Sequence, residues 1–144
     1  MVKIAVDTNI LMDFLFRDRP CREEAKTIML AGSKGLLDIC VSTQSIIDAA
    51  YMAHKYGVDY HQFQDIISQL RVYVRVTAVD EIDLSWALTH HSGDFEDDMQ
   101  YASAYNNVCD YFITRDQALL KLNDPFCPMT VITPDDFVAA MQPE

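Results

Sequence analysis

Glycine is scarce in this chain, with four residues in 144. So few leave no room for a glycine-rich loop that cradles phosphate, and no Walker A or G-x-G-x-x-G pattern occurs. A G-x-S-x-G nucleophile turn is missing as well. The four cysteines, Cys21, Cys40, Cys109 and Cys127, contain no C-x-x-C pair, and no histidine stands at ligand spacing from them. That pattern argues against zinc and against a disulfide framework, and it suits free thiols in a reducing compartment. No apolar run approaches the roughly 18 residues of a membrane span. Met1–Val6 meets Asp7 too soon to be the apolar region of a secretory leader. A cytoplasmic protein with no membrane association is therefore expected. Positive charge is also short, with 11 Lys and Arg against 22 Asp and Glu and a net charge of −11. That excludes a general, electrostatically driven nucleic-acid binder, but not an enzyme that meets phosphate through a bound metal. Arg17, Arg19, Arg22 and Lys26 cluster early in the chain. They form either a solvated face or a small phosphate-facing patch.

What the chain does have is hydrophobic substance, half of its residues, in a length that suits one domain over residues 1–144. Short apolar runs alternate with helical periods. Strands are expected at Val2–Val6, Leu36–Val41, Arg71–Val79, Tyr111–Ile113 and Met129–Ile132. In the third, Val72, Val74 and Val76 alternate with polar residues, which places it at a sheet edge. Helices are expected at Ile10–Phe16, Cys21–Ala31, from Ser42 or Thr43 to Gly57, and at Asp59–Leu70, Asp80–His91, Glu96–Asn107 and Gln117–Leu122. A last one starts at Pro134 with Thr133 as its cap. Strands separated by helices point to an α/β domain with a mostly parallel sheet. Ligands of such sheets bind beyond the carboxyl ends of the strands, near a reversal of strand order.

Four carboxylates are placed to converge there: Asp7 and Asp116 just after strands, Asp97 at a helix start, and Asp48 in the helix after the second strand. Each also has a structural reading. Asp7 and Asp116 can cap helices, and Asp97 lies in the acidic run Asp94-Phe95-Glu96-Asp97-Asp98, which suits a helix dipole. Asp48 stands out, because Ile46-Ile47-Asp48-Ala49-Ala50-Tyr51-Met52-Ala53 is apolar on nearly every face. A helix of that kind is expected to be covered by protein, where a lone carboxylate is costly without a partner or a metal. Thr114 can hydrogen-bond a carboxylate or a water, and Arg115 can offset negative charge or touch phosphate. Clustered carboxylates raise one another's pKa and favour a hard cation, Mg²⁺ or Mn²⁺. The adjacent His90 and His91 read as an ordinary surface pair. Asp7-Thr8-Asn9 lacks the Asp-x-Asp of a phosphatase that works through an aspartyl phosphate.

The ordered set resembles the PIN-domain nucleases, and within them the VapC-type toxins of bacterial toxin–antitoxin pairs. The resemblance rests on Lys3-Ile4-Ala5-Val6-Asp7-Thr8-Asn9-Ile10-Leu11, on Ser42-Thr43-Gln44-Ser45-Ile46-Ile47-Asp48, on Asp94-Phe95-Glu96-Asp97-Asp98-Met99-Gln100 and on Tyr111-Phe112-Ile113-Thr114-Arg115-Asp116. It spans essentially the whole chain. It implies a three-layer α/β/α fold on a five-stranded, mostly parallel sheet, and Mg²⁺- or Mn²⁺-dependent hydrolysis of RNA. Asp7, Asp97 and Asp116 would hold metal directly or through water, and Asp48 would complete the site, supported by Thr8, Asn9 and Thr114. Arg17, Arg19 and Arg115 would meet the substrate. An antitoxin and a homodimer are implied as partners. In the second motif the family usually has Glu where this chain has Asp48, a reach shorter by one methylene, roughly 1.5 Å. A PIN fold with weak catalysis, acting as a binding module through protein or RNA contacts, is the alternative reading.

Overall fold

The computed structural model describes residues 1–90 and 92–142. Five strands, β1 (Lys3–Val6), β2 (Asp38–Ser42), β3 (Val74–Thr77), β4 (Tyr111–Ile113) and β5 (Thr130–Ile132), form one parallel sheet in the order β3-β2-β1-β4-β5. Ala5 is paired with Cys40 on one side and Phe112 on the other. The chain therefore builds outward from β1 to β2 and β3, then returns to add β4 and β5 on the opposite flank. The reversal falls between β1 and β4, so the crevice for a ligand lies just beyond Val6 and Ile113.

Side-chain alternation explains the layers. Ile4, Val6, Ile39, Val41 and Ile113 face one way, into a core shared with α1 (Thr8–Leu15), α2 (Arg22–Ser33), α3 (Thr43–Lys55), α4 (Tyr60–Leu70) and α8 (Pro134–Met141). Ala5, Cys40, Phe112 and Val131 face the other way, against α6 (Phe95–Asn106) and α7 (Gln117–Leu120), with α5 (Glu81–Ala87) packed on α6. The result is the expected three-layer α/β/α arrangement. Among the described residues, no helix is long and apolar enough to cross a membrane.

Several expected bounds move. The third strand contracts from Arg71–Val79 to Val74–Thr77, an edge strand paired only with β2. The helix expected at Asp80–His91 ends at Ala87; His91 lies outside the described residues. The second helix does not stop before Gly32 but runs through it to Ser33. Gly32 is there for close approach: a Cβ at this position would collide with the Ile39 side chain of β2. Gly32→Ala is expected to cost about 1–3 kcal/mol, the usual range for overpacking a tight core contact. Urea denaturation checks this, and an unchanged midpoint would show that Ile39 yields freely.

The largest correction concerns α3. Its apolar sequence does not mean burial, since Ile47 is 62% and Tyr51 61% exposed and Asp48 is half-buried. Only Ser45, Ala49 and Ala53 are fully covered. Both exposed apolar residues line the same cleft as Asp48.

Candidate active site

At the switch point the chain leaves β1 and turns at once into α1. Asp7 makes that turn: its N–H donates to the Ile113 carbonyl at 2.9 Å, and its Oδ1 caps α1 by accepting the Thr8 N–H at 2.8 Å. Thr114, fully buried after β4, donates its hydroxyl to Asp7 Oδ2 at 2.8 Å. The same Thr114 oxygen accepts the Asp116 N–H at 3.0 Å, while Asp116 Oδ1 caps α7 through the Ala118 and Leu119 N–H groups. Capping and site-building are thus one role for Asp7 and Asp116, not two competing ones.

These residues open onto a cleft of about 580 Å³ that Asp7, Asp48, Asp97 and Asp116 all line, together with Asp94 and Glu96. Thr8 and Asn9 are on its wall. Its floor is a buried polar network. Ser42 Oγ donates to Gln100 Oε1 at 2.8 Å, Thr8 Oγ1 and Ser45 Oγ share a hydrogen bond of 2.7 Å, and Gln100 Nε2 donates to both of the latter. This network ties α1, α3 and α6 together beneath the carboxylates. Gln100 and Ser45 stand within the motifs, but nothing in their residue type distinguished them from ordinary helix positions.

On α6 the helical phase decides which acids reach the cleft. Asp94, Asp97 and Gln100, three apart, face it; Asp94 also caps the helix through the Asp97 N–H at 3.1 Å. Asp98 turns to the opposite side and is buried there. Glu96 also lines the cleft, close to the Asp48 carboxylate of α3. Gln44 steadies the other side of Asp48, donating Nε2 to Oδ1 at 3.0 Å.

The arginines are employed differently from expectation. Arg115 grips the fully buried Asp13 with two hydrogen bonds of 2.8 and 2.9 Å, and Arg19 adds a third at 3.0 Å. Arg19 also donates to Asn9 at 3.2 Å, which leads back to the cleft wall. Arg22 closes the end of α1 by donating to the Phe14 and Phe16 carbonyls, and Lys26 pairs with Glu23. Arg17 lines a separate cleft beside Phe16 and Tyr56. The early basic cluster is therefore largely engaged within the fold and does not form one phosphate-facing patch.

Crowding of acids shifts their titration. Burial pushes the Asp7 carboxyl above the ordinary carboxylate range, against the pull of Thr114 and the Thr8 N–H. Asp97 is pushed up to about 7, first by burial and then by the charges of Asp116, Asp94, Asp7 and Glu96. Glu96 also rises to about 7, chiefly through the neighbouring Asp48 carboxylate. No three of these carboxylates bring oxygens within 4.8 Å of one another; among the described residues only the Cys21 sulfur with carboxylate oxygens of Glu24 and Asp135 come so close.

The donor set fits a hard divalent cation: oxygens only, on separate elements, with charge that a cation would relieve. The raised pKa values also bear on stability. A carboxyl protonated more readily when folded adds stability below its unfolded pKa and loses it as pH rises through the folded one, here from about 4 to about 7. Asp97→Asn should therefore raise the Tm of the metal-free protein at pH 8 by roughly 2–5 °C, a figure discounted for the solvent that reaches this group, and leave it unchanged at pH 4. Thermal unfolding at the two pH values checks this; an equal shift at both would remove the electrostatic explanation.

Solved structures share the architecture. One chain of a toxin–antitoxin complex from Klebsiella pneumoniae superposes with a TM-score of 0.63 at 21% identity, covering 91% of this chain and 97% of that one. VapC20 of Mycobacterium tuberculosis, described as a toxin that cleaves the sarcin-ricin loop, gives 0.62 at 16% identity over 79% of this chain and 90% of its own. A protein from Pyrobaculum aerophilum gives 0.62 at 16% identity over 96% and 94%. At these identities the likeness speaks for the fold. No curated protein matches the chain by sequence. The profile of the PIN domain matches residues 3–118, a span that runs from β1 through Asp116 and so takes in every carboxylate of the cleft. With that match over most of its length, the chain belongs to the PIN domain family.

Proposed function

We propose that this protein is a metal-dependent endoribonuclease that hydrolyses RNA phosphodiester bonds at the acidic cleft, and that it serves as the toxin of a toxin–antitoxin pair. The observation that carries the reading is the convergence of Asp7, Asp48, Asp97 and Asp116, from four separated motifs, on one cleft at the switch point of the sheet. Asp7, Asp97 and Asp116 would hold Mg²⁺ or Mn²⁺, directly or through water, with Asp48 and its neighbour Glu96 completing the acidic wall. A bound divalent cation would offset the negative charge of the cleft and polarise a phosphoryl oxygen.

The chain's own groups prepare that chemistry. Thr114 and the Thr8 N–H fix both oxygens of Asp7, and the α7 N-terminus fixes Oδ1 of Asp116. The carboxylates thus meet a ligand in set orientations with little rotamer freedom left to lose. The Ser42–Ser45–Thr8–Gln100 network holds the three helices at constant spacing. In the metal-free cleft Asp97 and Glu96 are both drawn up to about 7 by burial and neighbouring acids, and a bound cation would relieve that crowding.

The fold it shares with a chain of a toxin–antitoxin complex supports an antitoxin as partner. A small protein encoded beside the gene is expected to co-purify with this chain, and a homodimer is expected in solution. The test of the activity is direct. Purified protein incubated with a structured RNA and Mn²⁺ should cut it, EDTA should stop the cutting, and added Mn²⁺ should restore it. Cleavage that continues undiminished in EDTA would refute the metal mechanism.

A further inference from the structure

Asp98 is the acid that α6 turns away from the catalytic cleft, one residue and about 100° beyond Asp97. It is only 3% exposed, and its Oδ1 has no hydrogen-bond partner among the described residues. Among the described residues its Oδ2 receives one long bond, from the Ser92 N–H at 3.4 Å. Buried polar atoms are almost always partnered, so an orphaned carboxylate oxygen asks for a reason. Asp98 lines a second cavity, of about 460 Å³, with four aromatic rings among its other walls. Trp86, Tyr101, Tyr105 and His90 line it, and Asp124 adds a second carboxylate. The His90 ring stacks on Trp86 at 3.8 Å and 5°, and Tyr101 lies against Trp86 at 5.1 Å. His90 is exposed, as a surface pair would be, and its ring forms one wall of this pocket.

We propose that this cavity binds a planar organic cation, the guanidinium of an arginine side chain or of a free arginine derivative. Aromatic faces attract cations, and a guanidinium both stacks on rings and presents N–H donors in a fork that matches a carboxylate. Asp98 Oδ1 is the acceptor left open for such a donor. A nucleobase could also stack here, but its phosphate would meet Asp98, Asp124 and a chain of net charge −11, so charge favours the cation. An ammonium lacks the planar fork and should bind less well. The site lies on a different face of α6 from the acidic cleft and does not depend on the nuclease reading.

Trp86 is the only tryptophan in the chain, so its fluorescence reports on the cavity directly. The full-length protein, kept in EDTA, is titrated with N-acetyl-arginine amide, with agmatine, with a short arginine-containing peptide, with N-acetyl-citrulline amide and with guanosine monophosphate. A saturable change is expected with the guanidinium probes, with a dissociation constant on the order of 1 mM for the free amide. Tighter binding of the peptide than of agmatine would identify a protein as the source of the cation, and the reverse a small metabolite. Citrulline, the neutral isostere, should be weaker by roughly tenfold or more, and Asp98→Asn should weaken the arginine amide by a similar factor. Tyr105→Leu and Asp124→Asn alter exposed positions, and each should weaken binding even where Asp98→Asn fails to fold. No saturable change with any guanidinium, equal binding of citrulline, binding of the nucleotide alone, or binding indifferent to all three variants would overturn the proposal.

Discussion

Asp7→Asn is expected to abolish RNA cleavage, lowering it by about a thousandfold or more, while making the metal-free protein more stable. The two effects share one cause. Asp7 is nearly fully buried, and burial raises its pKa, so the ionised carboxylate lowers the stability of the fold at neutral pH. Asparagine keeps the shape and can still accept the Thr8 N–H, while the Thr114 hydroxyl can turn to accept from the new amide. The fold therefore loses a buried charge and keeps its hydrogen bonds. Activity goes because the amide is a poor ligand for a hard cation and brings no negative charge. The signature is a Tm that rises without metal but no longer responds to added Mn²⁺. Wild type should show the opposite, a lower starting Tm that climbs with Mn²⁺ by mass action. A variant that loses activity and also unfolds early would point to a structural role for Asp7 and nothing more.

The second large effect lies off the cleft. Asp13→Ala should destabilise the protein by about 3–5 kcal/mol, a fall in Tm of roughly 10 °C or more. The Asp13 side chain is wholly buried and holds Arg115 in a bidentate grip, with Arg19 on the same carboxylate. Both guanidiniums are partly covered, so removing their shared acceptor leaves two cations poorly satisfied at the edge of the core. Arg115 sits between Thr114 and Asp116, and losing its anchor should also loosen the loop that orients Asp7. Arg115→Lys tests the geometry, since an ammonium keeps the charge but not the fork. It should lose a smaller part of the stability. Chemical denaturation measures both; an Asp13→Ala midpoint within error of wild type would show that solvent replaces the acceptor freely.

Much of the fold is legible in the sequence, because it rests on local rules. Asp7 ends an apolar strand and caps the next helix, Thr133-Pro134 opens the last one, and the alternation of valines around Val74 marks an edge strand. The candidate site is legible in part for the same reason, since acids that follow strands must gather at one edge of a parallel sheet. What local rules do not carry is the side from which a helix is covered. Asp48 reads as buried because its neighbours are apolar, yet Ile47 and Tyr51 are exposed on the cleft rim. Glu96 and Asp98 look alike in an acidic run, and only the rotation of α6 against the sheet sends one to the cleft and the other to an aromatic cavity. Asp13 gives no signal at all, because its partners Arg19 and Arg115 meet it only through the tertiary fold, the second from 102 residues away.

Metal at the acidic cleft is the claim on which the account stands, and anomalous diffraction from crystals grown with Mn²⁺ tests it most directly. The account predicts an anomalous peak in the cleft lined by Asp7, Asp97 and Asp116, absent from crystals of Asp7→Asn. A cleft without a peak at saturating Mn²⁺, or manganese found only at Cys21, Glu24 and Asp135, would contradict it.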